Sequence, residues 1–229
     1  MTTSPIDLRL GRWQDVLADV TTCDALICDP PYSARTHEGQ RTGSSLRVPT
    51  ISYDAITPDG CREIADSWAP RTSRWAVVCC DHRAFSWHES AWEAHGWLVF
   101  APLLVKRNPP PRFSGDGPTL ALEFLCVARR RGLDDLPGSL PGWYEMDVGG
   151  DRRRNDNIAG QKNVDTVAAI VRDYSRPGDL VVDPFCGSGT TALACAQEGR
   201  RCITSEEKPE HYEIARRRLA RGYTPSMFT

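Results

Sequence analysis

Asp29-Pro30-Pro31-Tyr32 closes an apolar run, Ala25-Leu26-Ile27-Cys28, that reads as a short strand buried on both faces. Consecutive prolines remove two backbone donors and fix two φ angles, so the ladder stops at Asp29 and the chain must turn outward. In a parallel sheet covered by helices, ligands gather at the carboxyl ends of strands. An acid and an aromatic ring therefore arrive, rigidly held, where a substrate would lie.

A second constellation lies far down the chain. "VVDPFCGSGTTA" places Gly187 and Gly189 between an apolar strand and a helix start, where missing side chains let a ligand approach the backbone. Glu206 follows the next short strand, "RRCIT", and an acid at that tip is placed to bind the two hydroxyls of a ribose. This pattern suits an adenosine-containing cofactor. It is also a dinucleotide fingerprint, so a nicotinamide-dependent oxidoreductase stays in play. A phosphate loop of the nucleotide-triphosphate type fits less well, because no lysine follows the glycines.

The elements that must position these residues alternate. "RWQDVLADV" carries Trp13, Val16, Leu17 and Val20 at helical spacing; "GCREIADSWAP" is a helix stopped by Pro70. "RWAVVCC" reads as a strand, "AFSWHESAWEAHG" as a helix ended by Gly96, and "WLVFAPLLV" and "TLALEFLCVA" as strands around a Pro/Gly loop. "VDTVAAIVRDYS" and "EHYEIARRRLARG" are helices, the arginines of the latter read as its exposed face. Residues 33–60 carry little periodicity and form a long loop beside the proline corner, a length usually reserved for function. Alternating strands and helices predict an α/β fold, a Rossmann-like, doubly wound and mostly parallel sheet. The 229 residues suit one domain over 1–229, with a short polar insertion at 129–157.

Composition narrows the function classes. Lysines and arginines number 28 against 30 acids, a net charge of −2, so any polyanion site must be a local basic patch. The nine cysteines form no CxxC pair and the chain opens without a leader pattern, which points to reduced thiols in the cytoplasm. Cys79 and Cys80 with Asp81, His82 and His88 suggest a metal cluster, but a strand would turn the two thiols to opposite faces, so no metal is expected. No apolar run is long enough to cross a bilayer.

Taken together, "DPPY" at Asp29–Tyr32 and "FxGxG" through Phe185, Gly187 and Gly189 resemble the DNA amino-methyltransferases, which use S-adenosylmethionine. The motif order, "DPPY" first and the glycine loop near the C-terminus, is similar to the beta class. "GQKNVDTVAAIV" resembles that class's "QKP" segment through Gln161 and Lys162, and "LLVKRN" keeps its Lys106 and Asn108. The chain departs from the class at Asn163, where relatives have proline, at Arg12, where they carry an acid near the adenine, and at Thr204 and Ser205, where they have glycine and an apolar residue.

The resemblance implies a set of roles. Asp29 and the Pro30 carbonyl would accept hydrogen bonds from an exocyclic amino group, drawing its nitrogen toward tetrahedral geometry and freeing its lone pair. Pro31 stops that turn relaxing into helix, and Tyr32 would stack on a base flipped out of its duplex. Cofactor contacts fall to Cys28 and Asp29, to Gln161 and Lys162, to Asp183, Pro184, Phe185, Gly187, Gly189, Thr190 and Thr191, and to Glu206. The base expected is adenine N6, which "DPPY" accompanies more often, with cytosine N4 the alternative.

DNA is the implied partner. Arg129, Arg130 and Arg131, then Arg152, Arg153 and Arg154, flank the insertion, and Lys106, Arg107 and Arg112 precede it. Arginines fit phosphates bidentately, making these the candidate backbone contacts; as solvated faces they would do nothing of the kind. The insertion is short, so reading a DNA sequence would also use the 33–60 loop or a second subunit as a homodimer. Two rivals remain: the oxidoreductase, which leaves "DPPY" without a purpose, and a nucleic-acid-binding homologue without turnover.

Overall fold

In the computed structural model the described residues are 5–36, 53–107, 121–133, 138–146, 158 and 160–222. Their strands are β1 (Ile6–Leu10), β2 (Cys23–Cys28), β3 (Thr72–Cys80), β4 (Leu98–Val99), β5 (Leu103–Arg107), β6 (Leu122–Arg129), β7 (Trp143–Met146), β8 (Leu180–Asp183) and β9 (Arg201–Glu206). Helices are α1 (Trp13–Val16), α2 (Pro58–Trp68), α3 (Ala84–Ala94), α4 (Val164–Tyr174), α5 (Thr190–Gln197) and α6 (Pro209–Arg221).

One nine-stranded sheet runs in the order β1-β9-β8-β2-β3-β6-β5-β7, with β4 alongside β6. Every pairing is parallel except those of β6, so β6 alone runs against its neighbours. Side chains alternate along β2 as the sequence implies. Ala25 and Ile27 face a core shared with α4 and α5, whereas Leu26 and Cys28 face one built from α2 and α3 around Trp68 and Trp92. Cys79 and Cys80 likewise part to opposite cores.

Two strands were not apparent in the sequence reading. β1 pairs β9 from Ile6 to Leu10, and β7 pairs β5 inside the stretch read as insertion. "WLVFAPLLV" yields two strands rather than one, because Pro102 interrupts donation between β4 and β5. Asn163 compensates for the proline it replaces: its side chain caps α4 by accepting from the Asp165 and Thr166 amides at 2.8 and 3.3 Å. Among the described residues no helix is long and apolar enough to cross a membrane.

His88 on α3 is fully buried, its Nε2 3.5 Å from the Cys61 Sγ, and burial pulls its pKa from the ordinary 6.5 down to about 4. A depressed folded pKa contributes stability that is present above the unfolded value and lost as pH falls through this window. Between pH 7 and 5 the native chain should therefore lose about 2 kcal/mol more unfolding free energy than a His88→Gln variant, read by urea titration at both pH values. Parallel pH dependences would show that His88 is not the buried acid-sensitive group.

Candidate active site

After β2 the chain crosses through α2 to β3 on one side, and after β8 it crosses through α5 to β9 on the other. The crevice between the ends of β2 and β8 is thus the switch point of the sheet, where open α/β folds bind ligands. Asp29 and Asp183 flank it. A cavity of about 700 Å³ opens there, reaching from Glu206 and Gly187 past Phe185 to Asp29, Tyr32 and Glu123. It brings Cys28, Pro30, Pro31, Gln161, Lys162, Pro184, Thr190 and Thr191 into one lining, whereas Gly189 is not among the lining residues.

The wall holding "DPPY" is a charge network. Lys162 Nζ donates to Asp29 Oδ2 at 2.7 Å and lies 3.3 Å from Glu123 Oε2. Glu123 Oε1 accepts from Arg107 at 2.9 Å, and Glu123 Oε2 accepts from the Tyr32 hydroxyl at 3.2 Å. The ammonium also stands 5.0 Å from the Tyr32 ring centroid. Burial opposes the charge on Lys162, but Asp29 and Glu123 outweigh it and raise its pKa. Burial of Glu123 is likewise outweighed, by Lys162 and Arg107, which hold its carboxyl below the ordinary value. Asp29 goes the other way: burial, helped by the like charge of Glu123, raises it against the pull of Lys162. Asp29 Oδ1 is a buried acceptor without a hydrogen-bond partner among the described residues.

Glu123 was missed in the sequence. Its signal was present: an acid in the apolar run "LEFLCVA" must be paired when buried.

The opposite wall is the glycine loop. Gly187 has φ +54° and Gly189 φ +83°, conformations that favour glycine. A Cβ at Gly189 would stand 3.3 Å from that of Ala215, so this glycine serves the close approach of α6 as well as the turn. Glu206 accepts from the Gly187 and Lys208 amides at 2.8 and 3.0 Å, tying the loop to the end of β9. Thr204 and Ser205, the departures noted above, donate to the carbonyls of Asp183 (2.7 Å) and Pro184 (3.0 Å) and stitch the two strand ends together. Burial pushes the Asp183 carboxyl up to about 7, against the Phe185 amide and the Thr191 hydroxyl.

Arg218 corrects the reading of "ARRRLAR" as wholly exposed. It is 1% exposed and donates to the Ser188 carbonyl and hydroxyl at 2.5 and 2.6 Å, clamping the loop from α6. Arg12 lines the cavity beside Trp13, whose ring stands edge-on to Phe185 at 6.4 Å.

The expected nucleic-acid residues divide. Lys106 and Arg107 end β5 at the cavity edge, Lys106 near Glu145 at 3.4 Å and Arg107 turned onto Glu123. Because β6 runs backwards, Arg129, Arg130 and Arg131 are carried to the far edge: Arg130 donates to the Thr72 carbonyl at the start of β3, and Arg131 to the Gly96 carbonyl. The length of β3, about 25 Å, separates them from the cavity. Arg129 lies over the rings of Trp75 and Phe100. Arg112, Arg152, Arg153 and Arg154 lie outside the described residues.

The type II methyltransferase M.Cfr9I of Citrobacter freundii is 32% identical over 154 residues, 59% of this chain and 47% of that one, so the match spans about half of that relative. The solved M1.HpyAVI–SAM complex superposes with a TM-score of 0.70 at 23% identity, over 93% of this chain and all of that one. The cytosine-N4-specific PvuII DNA methyltransferase gives 0.68 at 16% identity, over 94% and 86%. The profile of the DNA methylase family of N6 and N4 methyltransferases matches residues 23–217, and the chain belongs to that family.

Proposed function

We propose that this chain transfers a methyl group from S-adenosylmethionine to the exocyclic amino nitrogen of a DNA base turned out of its helix, adenine N6 being the expected target. The observation that carries the reading is the Asp29 carboxylate, which lines the cavity together with Pro30 and stands across the crevice from the glycine loop.

The residues present fit the cofactor. Glu206 borders the cavity with a carboxylate already oriented by two amides and with lone pairs left for ribose hydroxyls. Gln161 also lines the cavity, where its side-chain amide suits the polar end of the cofactor. When bound, S-adenosylmethionine supplies a methyl group made electrophilic by a positively charged sulfur. The chain's own part is to prepare the nucleophile. The Asp29 carboxylate and the Pro30 carbonyl accept hydrogen bonds from the two amino N–H groups, and as the new N–C bond forms Asp29 is placed to take the proton that nitrogen sheds. A carboxylate with a raised pKa suits that task.

Tyr32 offers its ring to the base while Glu123 holds its hydroxyl. Tyr32→Ala should lower kcat/KM by on the order of 10–100-fold, the worth of stacking one base, and Tyr32→Phe by only a few-fold. Equal losses would contradict a role for the ring face.

The deciding experiment is mass spectrometry of nucleosides from DNA incubated with the protein and labelled S-adenosylmethionine. Label in N6-methyladenine is the expected result. Label in N4-methylcytosine would keep the class and change the base, and cofactor binding without label in any unmethylated genomic DNA would overturn the reading.

A further inference from the structure

Beside the proline corner lies a second cleft of about 280 Å³, lined by Ser33, Ala34, Arg35, Arg83 and Trp87. Arg35 borders both this cleft and the main cavity, so the two adjoin. Both guanidinium groups are exposed, and neither has an ion pair or hydrogen bond to another side chain among the described residues. The Asp81 carboxylate, which joins the two segments, is already engaged by other donors. Asp81 accepts from the amide and hydroxyl of Ser33, the hydroxyl of Thr36 and the amides of Arg83 and Ala84, at 2.5–3.0 Å. These five donors lock the turn carrying Arg35 to the start of α3 carrying Arg83.

Two unpaired guanidinium groups held on one rigid block, with the half-buried indole of Trp87 as an apolar wall, match the chemistry of a sugar–phosphate backbone. A base inserted into the main cavity leaves its own phosphates at the rim. On the strength of the proposed function, we propose that Arg35 and Arg83 bind the phosphodiester backbone next to the flipped nucleotide, with its sugar against Trp87. The arginine triplet at 129–131 takes no part, since it stands at the other edge of the sheet.

The test is the salt dependence of binding between the full chain and a short labelled DNA duplex, with S-adenosylmethionine affinity measured alongside. Losing two phosphate contacts should lower the slope of log K against log salt by about 1.8, so Arg35→Ala with Arg83→Ala should show that drop, at least tenfold weaker binding at low salt and unchanged cofactor affinity. Arg130→Ala with Arg131→Ala should keep the wild-type slope. A wild-type slope in the first variant, or an equal drop in both, would overturn the assignment. Failure of the unmodified chain to bind DNA at all would instead overturn the function on which it rests.

Discussion

Asp29→Ala is expected to lower kcat by on the order of 10²–10³-fold, the cost of removing one preorganised hydrogen-bonding group aimed at the reacting centre. The fold should not suffer with it. Lys162 keeps Glu123 at 3.3 Å when Asp29 is gone, so no buried cation is stranded. The raised pKa of Asp29 also means that its charged form is disfavoured in the folded chain. An acid of this kind contributes stability below its unfolded pKa that is lost as pH rises through the folded one, so at neutral pH its removal relieves the fold. The variant should melt no lower than the wild type while single-turnover transfer collapses. Transfer within threefold of wild type would show that the amino group is activated elsewhere.

Lys162→Met should do the converse, damaging stability first. It leaves Asp29 and Glu123 facing each other without the ammonium between them, and breaking a buried pair of this kind costs about 3–5 kcal/mol. Glu123 retains Arg107 at 2.9 Å, so the uncompensated charge falls on Asp29. With Lys162 gone, burial and Glu123 both raise Asp29 against only the Tyr32 hydroxyl. If transfer needs Asp29 ionised, its acidic limb must move to higher pH in Lys162→Met. Glu123→Gln, which removes the like charge, should move the limb to lower pH. Denaturant unfolding checks the first expectation and a pH–rate profile the others; a limb that stays fixed in both variants would mean that another group controls it.

The proline corner and the glycine loop were legible because their signals are local. Prolines end a ladder and positive-φ glycines make a turn whatever surrounds them. The same holds for the buried strand before Asp29, whose alternation already states which residues face which core. What was not legible depends on direction and distance. Nothing in "ARRR" reveals that β6 runs backwards and carries Arg129 away from the site. Nor does the spacing of the last helix show that Arg218 turns inward while Arg216 pairs with Glu213 at the surface. Lys162 was marked for the cofactor, but its partners, Asp29 and Glu123, come from strands far apart in sequence. β7 was hidden because four residues of mixed polarity, "WYEM", show alternation only once their neighbour β5 is known.

The reversal of β6 also gives the molecule a handle. The chain leaves β6 at Arg129 and enters β7 at Trp143, so the turn around Gly132 lies at the end of the sheet away from the cavity. The space beside Gly132 is open within 4 Å, but its φ of +80° favours glycine, so a label belongs on a neighbour rather than on Gly132 itself. A dye or affinity tag installed there would stand at the far end of the sheet from the cavity. That offers an optical reference point on the fold and a site for tethering the protein to a surface without crowding the mouth of the cavity.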